Sequence, residues 1–368
     1  MNITSSETAG DPPLRPALGR SVRELGARLQ AKNPFYFFEW FTVANLILVH
    51  QLMLAKGFDN HGMLAVVDSL ALFGGALVLQ AAAGVALRII WALIRRDRSY
   101  LTAVRDWKWM LVSARLLISA VLVIHTYGWL KLLVPRLNQA SFDAELWEID
   151  RLLMLGYSPN VFFVNLFAES PTLLWIIDRL YAQAFYASLA LAAIIFLSLP
   201  SNRTRIAYAN GNAGLWITGA WLYLLFPSLG PCYRFEDVWD SVRALMPVSY
   251  SWQYLLITNY QKVLDHPLGG IRPGMRIILG IGAFPSLHVA FQLYVALWVG
   301  FLSRHAGMFF RLAVIAIFIG SIVTGWHYMI DSIAGAVIGF LAYYCSRAVA
   351  GLDREPSRLA RDQTGLRA

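Results

Sequence analysis

The chain is short of charge and of cysteine. Asp, Glu, Lys and Arg make up only 14% of its 368 residues, where a soluble domain carries about a quarter. With 58% hydrophobic residues and a mean hydropathy of +0.53, that shortage excludes an ordinary water-soluble protein. Two cysteines, Cys232 and Cys345, are expected on opposite membrane faces, which excludes a disulfide and a thiolate metal site. The alternating strands of a transmembrane barrel are missing, as is any sequence repeat, so the apolar runs are read as helices. Residues 1–33 lack the apolar core of a cleavable signal peptide. The formal charge of +9 comes without mixed basic and aromatic stripes outside the apolar runs. Nucleic acid is therefore not an expected partner, and the excess is assigned to cytoplasmic loops.

The apolar runs predict an all-α, polytopic transmembrane helical bundle of about eight spans, near 36–55, 63–93, 109–134, 173–199, 206–229, 285–303, 312–325 and 328–345. Four regions follow: a basic cytoplasmic tail over 1–33, with an amphipathic helix over 20–32 on the inner leaflet; N-terminal spans over 34–135; a membrane domain over 136–349 with the candidate chemistry in its last helices; and a basic cytoplasmic tail over 350–368. In this topology the inner segments hold nineteen Lys and Arg and the longer outer ones nine, as the positive-inside rule requires. The acidic stretch SFDAELWEIDRLLMLGYSP carries Leu146, Ile149, Leu152 and Leu153 at the spacing of a helix lying along the interface. Asp68, Arg88, Arg115, Asp178 and Arg179 fall within spans, where internal pairing is expected.

Two motifs carry chemistry. In PSLH, Pro285 and Ser286 suit a helix start, and the free N–H groups and dipole of such a start favour a phosphate beside His288. In HYMID, His327 and Asp331 are i and i+4, so the carboxylate can accept the Nδ1 proton and leave Nε2 as a nucleophile or base. His288 and His327 are 39 residues apart. Two crossings of about 20 residues return the chain to the same face, so the histidines can meet. The bland readings are an ordinary Pro-Ser helix start and a structural pair at a helix junction. His50, His61, His125, His266 and His305 have no acid at a suggestive spacing and are read as non-catalytic.

Together the two motifs resemble the phosphatidic acid phosphatase type 2 superfamily, whose signatures include a PSGH-like element and an SRxxxxxHxxxD element. The match is nearest the branch with the inositol phosphorylceramide synthases: Leu287 replaces the glycine, and Thr324, His327, Tyr328 and Asp331 form the second element. GPCYRF and EIDRLLMLG are weaker matches. The resemblance implies that His327 attacks phosphorus to give a phosphohistidine, that Asp331 orients it, and that His288 protonates the leaving alcohol and then activates the acceptor. It implies no metal or cofactor, provided cations and helix N–H groups neutralise the phosphoryl oxygens.

The chain departs from the pattern where the signature arginine would stand, which is Ser321, and in the first signature, KxxxxxxRP. Candidate substrate-binding residues are Ser286, Arg234, Arg272, Arg276 and Lys262. The expected activity is that of a lipid phosphatase or head-group phosphotransferase acting on a phospholipid or isoprenoid phosphate, with the site on the non-cytoplasmic face. The alternative is a non-catalytic transporter or scaffold on the same frame. Nothing in the sequence fixes an oligomeric state.

Overall fold

The computed structural model describes residues 36–57, 66–265 and 278–352. The N-terminal amphipathic segment, the basic residues of the C-terminal tail beyond 352, and Arg272 and Arg276 lie outside them. The described residues are helical, with no strand among them. Six helices are long and apolar enough to cross a membrane: α1 (Phe37–Ala55), α2 (Val66–Ile94), α4 (Trp107–Leu137), α7 (Pro171–Leu197), α11 (Arg304–Val323) and α12 (Met329–Val349). The short α3 (Ser99–Arg105), α5 (Asp143–Leu153) and α6 (Pro159–Ala168) connect them. Two further helices, α8 (Asn202–Leu225) and α10 (Leu287–Leu302), complete the bundle, and α9 (Pro247–Asp265) lies in the long connection before α10.

The predicted fifth and sixth spans are thus of a different kind from the other six. The fifth, α8, carries Arg205 and Asn210, which the bundle buries by giving them partners. Arg205 lies over the Trp109 ring at 4.3 Å, and Asn210 accepts the Phe38 N–H at 2.9 Å. The sixth, α10, has only 16 residues, about 24 Å at 1.5 Å per residue against a hydrocarbon core of about 30 Å. It is apolar and buried all round, packed between α11 and α12, which makes it the centre of the core. At the other extreme, α2 buries little and presents Leu79, Leu87, Leu93 and Ile94 outward.

Residues 304–311, which the predicted spans leave as a connection, are instead the first two turns of α11. Ser303 ends α10, donating its N–H to Val299, and starts α11 by accepting the Ala306 N–H. One capping residue makes the corner, so no loop is needed. Four of the five in-span charges are engaged, though not with one another, while Asp68 is exposed. Arg115 pairs with Glu39, Asp178 accepts the N–H groups of Val248 and Ser249 at 2.9 and 2.7 Å at the start of α9, Arg179 stacks on Trp175, and Arg88 donates to Ser198. Both cysteines are free, Cys232 buried and Cys345 exposed.

Candidate active site

Two helix starts are brought together at one end of the bundle. Ser286 caps α10, its hydroxyl accepting the Val289 N–H at 3.4 Å, and its own N–H donates to the Asp331 carbonyl of α12 at 2.9 Å. Close contact below this junction requires glycine: a Cβ at Gly335 would stand 2.1 Å from the Ser286 carbonyl oxygen, and one at Gly339 2.3 Å from that of Ala290. With the helix starts locked, His288 in the first turn of α10 faces His327, which immediately precedes α12. His288 Nδ1 stands 3.3 Å from His327 Nε2.

The partner of His327 Nδ1 fixes the tautomer. A carbonyl only accepts, so the 2.9 Å contact with Ala283 O puts the proton on Nδ1 and the lone pair on Nε2. The proton between the two rings then belongs to His288 Nδ1. Asp331 Oδ2 lies 3.5 Å from His327 Nδ1, and its main hydrogen bond is from the Tyr328 N–H at 2.9 Å. The carboxylate therefore caps α12 and is in place to form an ion pair should the imidazole become charged. Burial pushes the His327 ring down to about 3, the Lys131 charge acting the same way and the Ala283 hydrogen bond against it. At neutral pH His327 is an uncharged base.

The segment that carries His327 is held carbonyl by carbonyl, as buried backbone requires. Ile322 O and His327 O accept from Asn160, Val323 O from Trp239, Thr324 O from Gln253, and Gly325 O from the Cys232 N–H. Two carboxylates of α5 complete the clamp. Asp143 accepts from the N–H groups of Leu229 and Gly230 and from the Tyr328 hydroxyl, while Asp150 accepts from Met329 and Ile330 at 2.6 and 2.8 Å, at the start of α12. Residue-by-residue reading missed Asp143, Asp150 and Asn160 as positioning groups. The available signal was the i, i+7 spacing of the two acids, which places them on one helix face.

A cavity of about 440 Å³ opens from the histidines into the bundle. Lys131, Tyr181, His288 and His327 line one end; Phe185, Phe196 and Trp216 are among the many apolar residues that line the rest. His288 packs against Phe185 and Tyr181, with ring centroids 4.2 and 5.4 Å away. The Tyr181 hydroxyl is buried without a hydrogen-bond partner among the described residues. Of the candidate substrate-binding residues, Ser286 is buried in its capping role, and Arg234 and Lys262 are exposed; none of the three lines the cavity.

The fold is that of a multi-pass membrane protein, and the site pairs two histidines with a partly open, mainly apolar chamber. A family model described as the PAP2 superfamily matches residues 144–345, more than half of the chain, and the chain belongs to that superfamily. Membership supports phosphoryl transfer of the phosphatase type on a lipid phosphate at the bilayer. No curated protein and no solved structure matches the chain.

Proposed function

We propose that this protein is a lipid phosphatase or head-group phosphotransferase that works through a phosphohistidine on His327. The observation that carries the reading is the cavity: one chamber with the lone pair of His327 Nε2 at one polar end and mainly apolar side chains between it and Arg205 fits a phosphate attached to an apolar chain. In the first step His327 Nε2 attacks phosphorus and the bond to the leaving alcohol oxygen breaks. His288, once its hydrogen bond to His327 is exchanged for one to that oxygen, donates the proton. Asp331 balances the charge that develops on the His327 ring. In the second step His288 takes a proton from the acceptor hydroxyl, which attacks phosphorus and restores His327.

Water as acceptor makes the protein a phosphatase; a lipid hydroxyl makes it a transferase like the inositol phosphorylceramide synthases. The T-x-x-H-Y-x-x-D form of residues 324–331 favours the second. The basic-residue count supports cytoplasmic termini and a site on the opposite face.

The test is trapping. Full-length protein mixed with phosphate-labelled phosphatidic acid or isoprenoid diphosphate and quenched in alkali should carry acid-labile label, absent from His327→Ala, with turnover unchanged by EDTA. Label retained in His327→Ala would overturn the assignment. Lipid mass spectrometry of the products identifies the acceptor, and reporter fusions at both termini test the topology.

A further inference from the structure

A phosphoryl group at His327 brings negative charge into an apolar chamber, and the position where the superfamily keeps an arginine cannot supply the balancing cation. Ser321 is fully buried, its hydroxyl directed at the Phe318 carbonyl and at Ser332, 2.8 and 3.0 Å away. Among the described residues, two cations line the cavity, Arg205 and Lys131. Arg205 is already engaged with the Trp109 ring, Asn202 and Ser113, near the start of α8 and at the end of the chamber away from the histidines.

Lys131 differs in its place and in its polar partners. It belongs to a stripe of α4 (Ala120, Val123, Ile124, Tyr127, Lys131) that faces the cavity at helical spacing, so its side chain is directed inward rather than toward the helix end, as a snorkelling lysine would be. Its Nζ lies 5.8 Å from the ring centre of Tyr127 and 5.2 Å from that of Tyr223, and it has no carboxylate or hydrogen-bond partner among the described residues. A cation without a counter-charge at such a place is costly and calls for an anion.

The chain puts that anion within reach. A Cβ at Gly280 would stand 2.5 Å from the Lys131 carbonyl carbon, and one at Gly282 would strike the Tyr223 ring. Ala283, whose carbonyl accepts the hydrogen bond of His327 Nδ1–H, is three residues beyond Gly280, at most about 11 Å of chain.

We propose that Lys131 holds the phosphoryl oxygens of the substrate, supplying from α4, outside the matched residues 144–345, the charge that the superfamily arginine would supply at Ser321. The assignment rests on the phosphoryl-transfer reading above, but its test is separable. Lys131→Met keeps the length of the stem and removes the charge; Lys131→Arg restores it.

Thermal unfolding of the purified full-length proteins is followed with inorganic phosphate as the probe, and turnover of phosphatidic acid is measured in parallel. Phosphate is expected to stabilise wild type, Lys131→Arg and His327→Ala, but not Lys131→Met. Turnover efficiency should fall at least 30-fold in Lys131→Met and less than tenfold in Lys131→Arg. Absence of phosphate stabilisation in wild type, or equal stabilisation of Lys131→Met, overturns the role of Lys131. Absence of turnover in wild type with the phosphate effect still dependent on Lys131 overturns the phosphoryl-transfer reading and leaves the anion site standing.

Discussion

Tyr328 and Asp143 are 185 residues apart in sequence and are joined by a hydrogen bond of 2.9 Å, in which the tyrosine hydroxyl donates to the carboxylate. The same carboxylate accepts from the N–H groups of Leu229 and Gly230. One side chain thereby ties the residue after His327 to the turn after α8, and Asp150 adds a second tie to the start of α12. The short helix α5 works as a clamp on the element that carries His327.

That clamp should be measurable. Hydrogen bonds to a charged group contribute about 1.5–3 kcal/mol each. Loss of one such bond's worth of positioning in Asp143→Asn is expected to lower lipid-phosphate turnover by about 10- to 100-fold. Tyr328→Phe removes one of the same bonds and should cost less. Because both changes act on one contact, the double variant should be no worse than Asp143→Asn. Losses that simply multiply would show that the two residues act independently.

Asp150 predicts a pH dependence of stability. Burial raises its carboxyl to about 7, the Asp331 charge acting the same way and the N–H groups of Met329 and Ile330 opposing. Between about pH 4 and 7 the native state keeps a proton that the unfolded chain has released, so stability falls as pH rises through that window. Below it both states are protonated, and above it both are ionised. Asp150→Asn carries no such proton. The difference in Tm, wild type minus Asp150→Asn, should therefore decline from pH 4 to 7 and level off beyond. A difference constant across that range would show that Asp150 does not titrate there.

The cavity makes a prediction about substrate length. Ala193 lines its apolar part, and Ala193→Trp would fill it. One or more methylenes excluded from an apolar pocket cost about 10- to 200-fold in discrimination. Turnover efficiency for a long-chain lipid phosphate should fall in that range, while a short-chain analogue is hydrolysed as before. Equal losses for both would place the tail elsewhere.

The six long spans were legible because an uninterrupted apolar run has only one solution in a bilayer. α8 was legible as a helix but not as a filled interior element, since the partners that bury Arg205 and Asn210 come from α1 and α4. The HYMID spacing put Asp331 on the same side as His327, and the two are 3.5 Å apart, yet the shorter contact of Nδ1 is with the Ala283 carbonyl. A backbone acceptor 44 residues away has no signature in the side chains. Lys131 stands near the end of the third predicted span, and counting charges by segment is one-dimensional. Which way that lysine faces depends on the packing of α4 against α8 and residues 280–283.

The junction of α10 with α12 is the most demanding test of the geometry. Gly335 and Gly339 sit one turn apart on α12, with the Ser286 and Ala290 carbonyls where a side chain would begin. Neither carbonyl can yield locally, because Ser286 caps and Ala290 ends the first turn of a helix buried on all sides. A methyl group at either glycine must push α10 away from α12, and overpacking of this kind costs about 1–3 kcal/mol. The displacement acts along the line that sets the 3.3 Å spacing of His288 and His327, so activity should suffer more than stability. Gly335→Ala and Gly339→Ala are each expected to lower Tm by several degrees and turnover by at least tenfold, whereas Gly214→Ala, whose Cβ would meet nothing within 4 Å, should leave both near wild type. Full turnover in Gly335→Ala would mean that the two histidine-bearing helices need not approach this closely for the reaction.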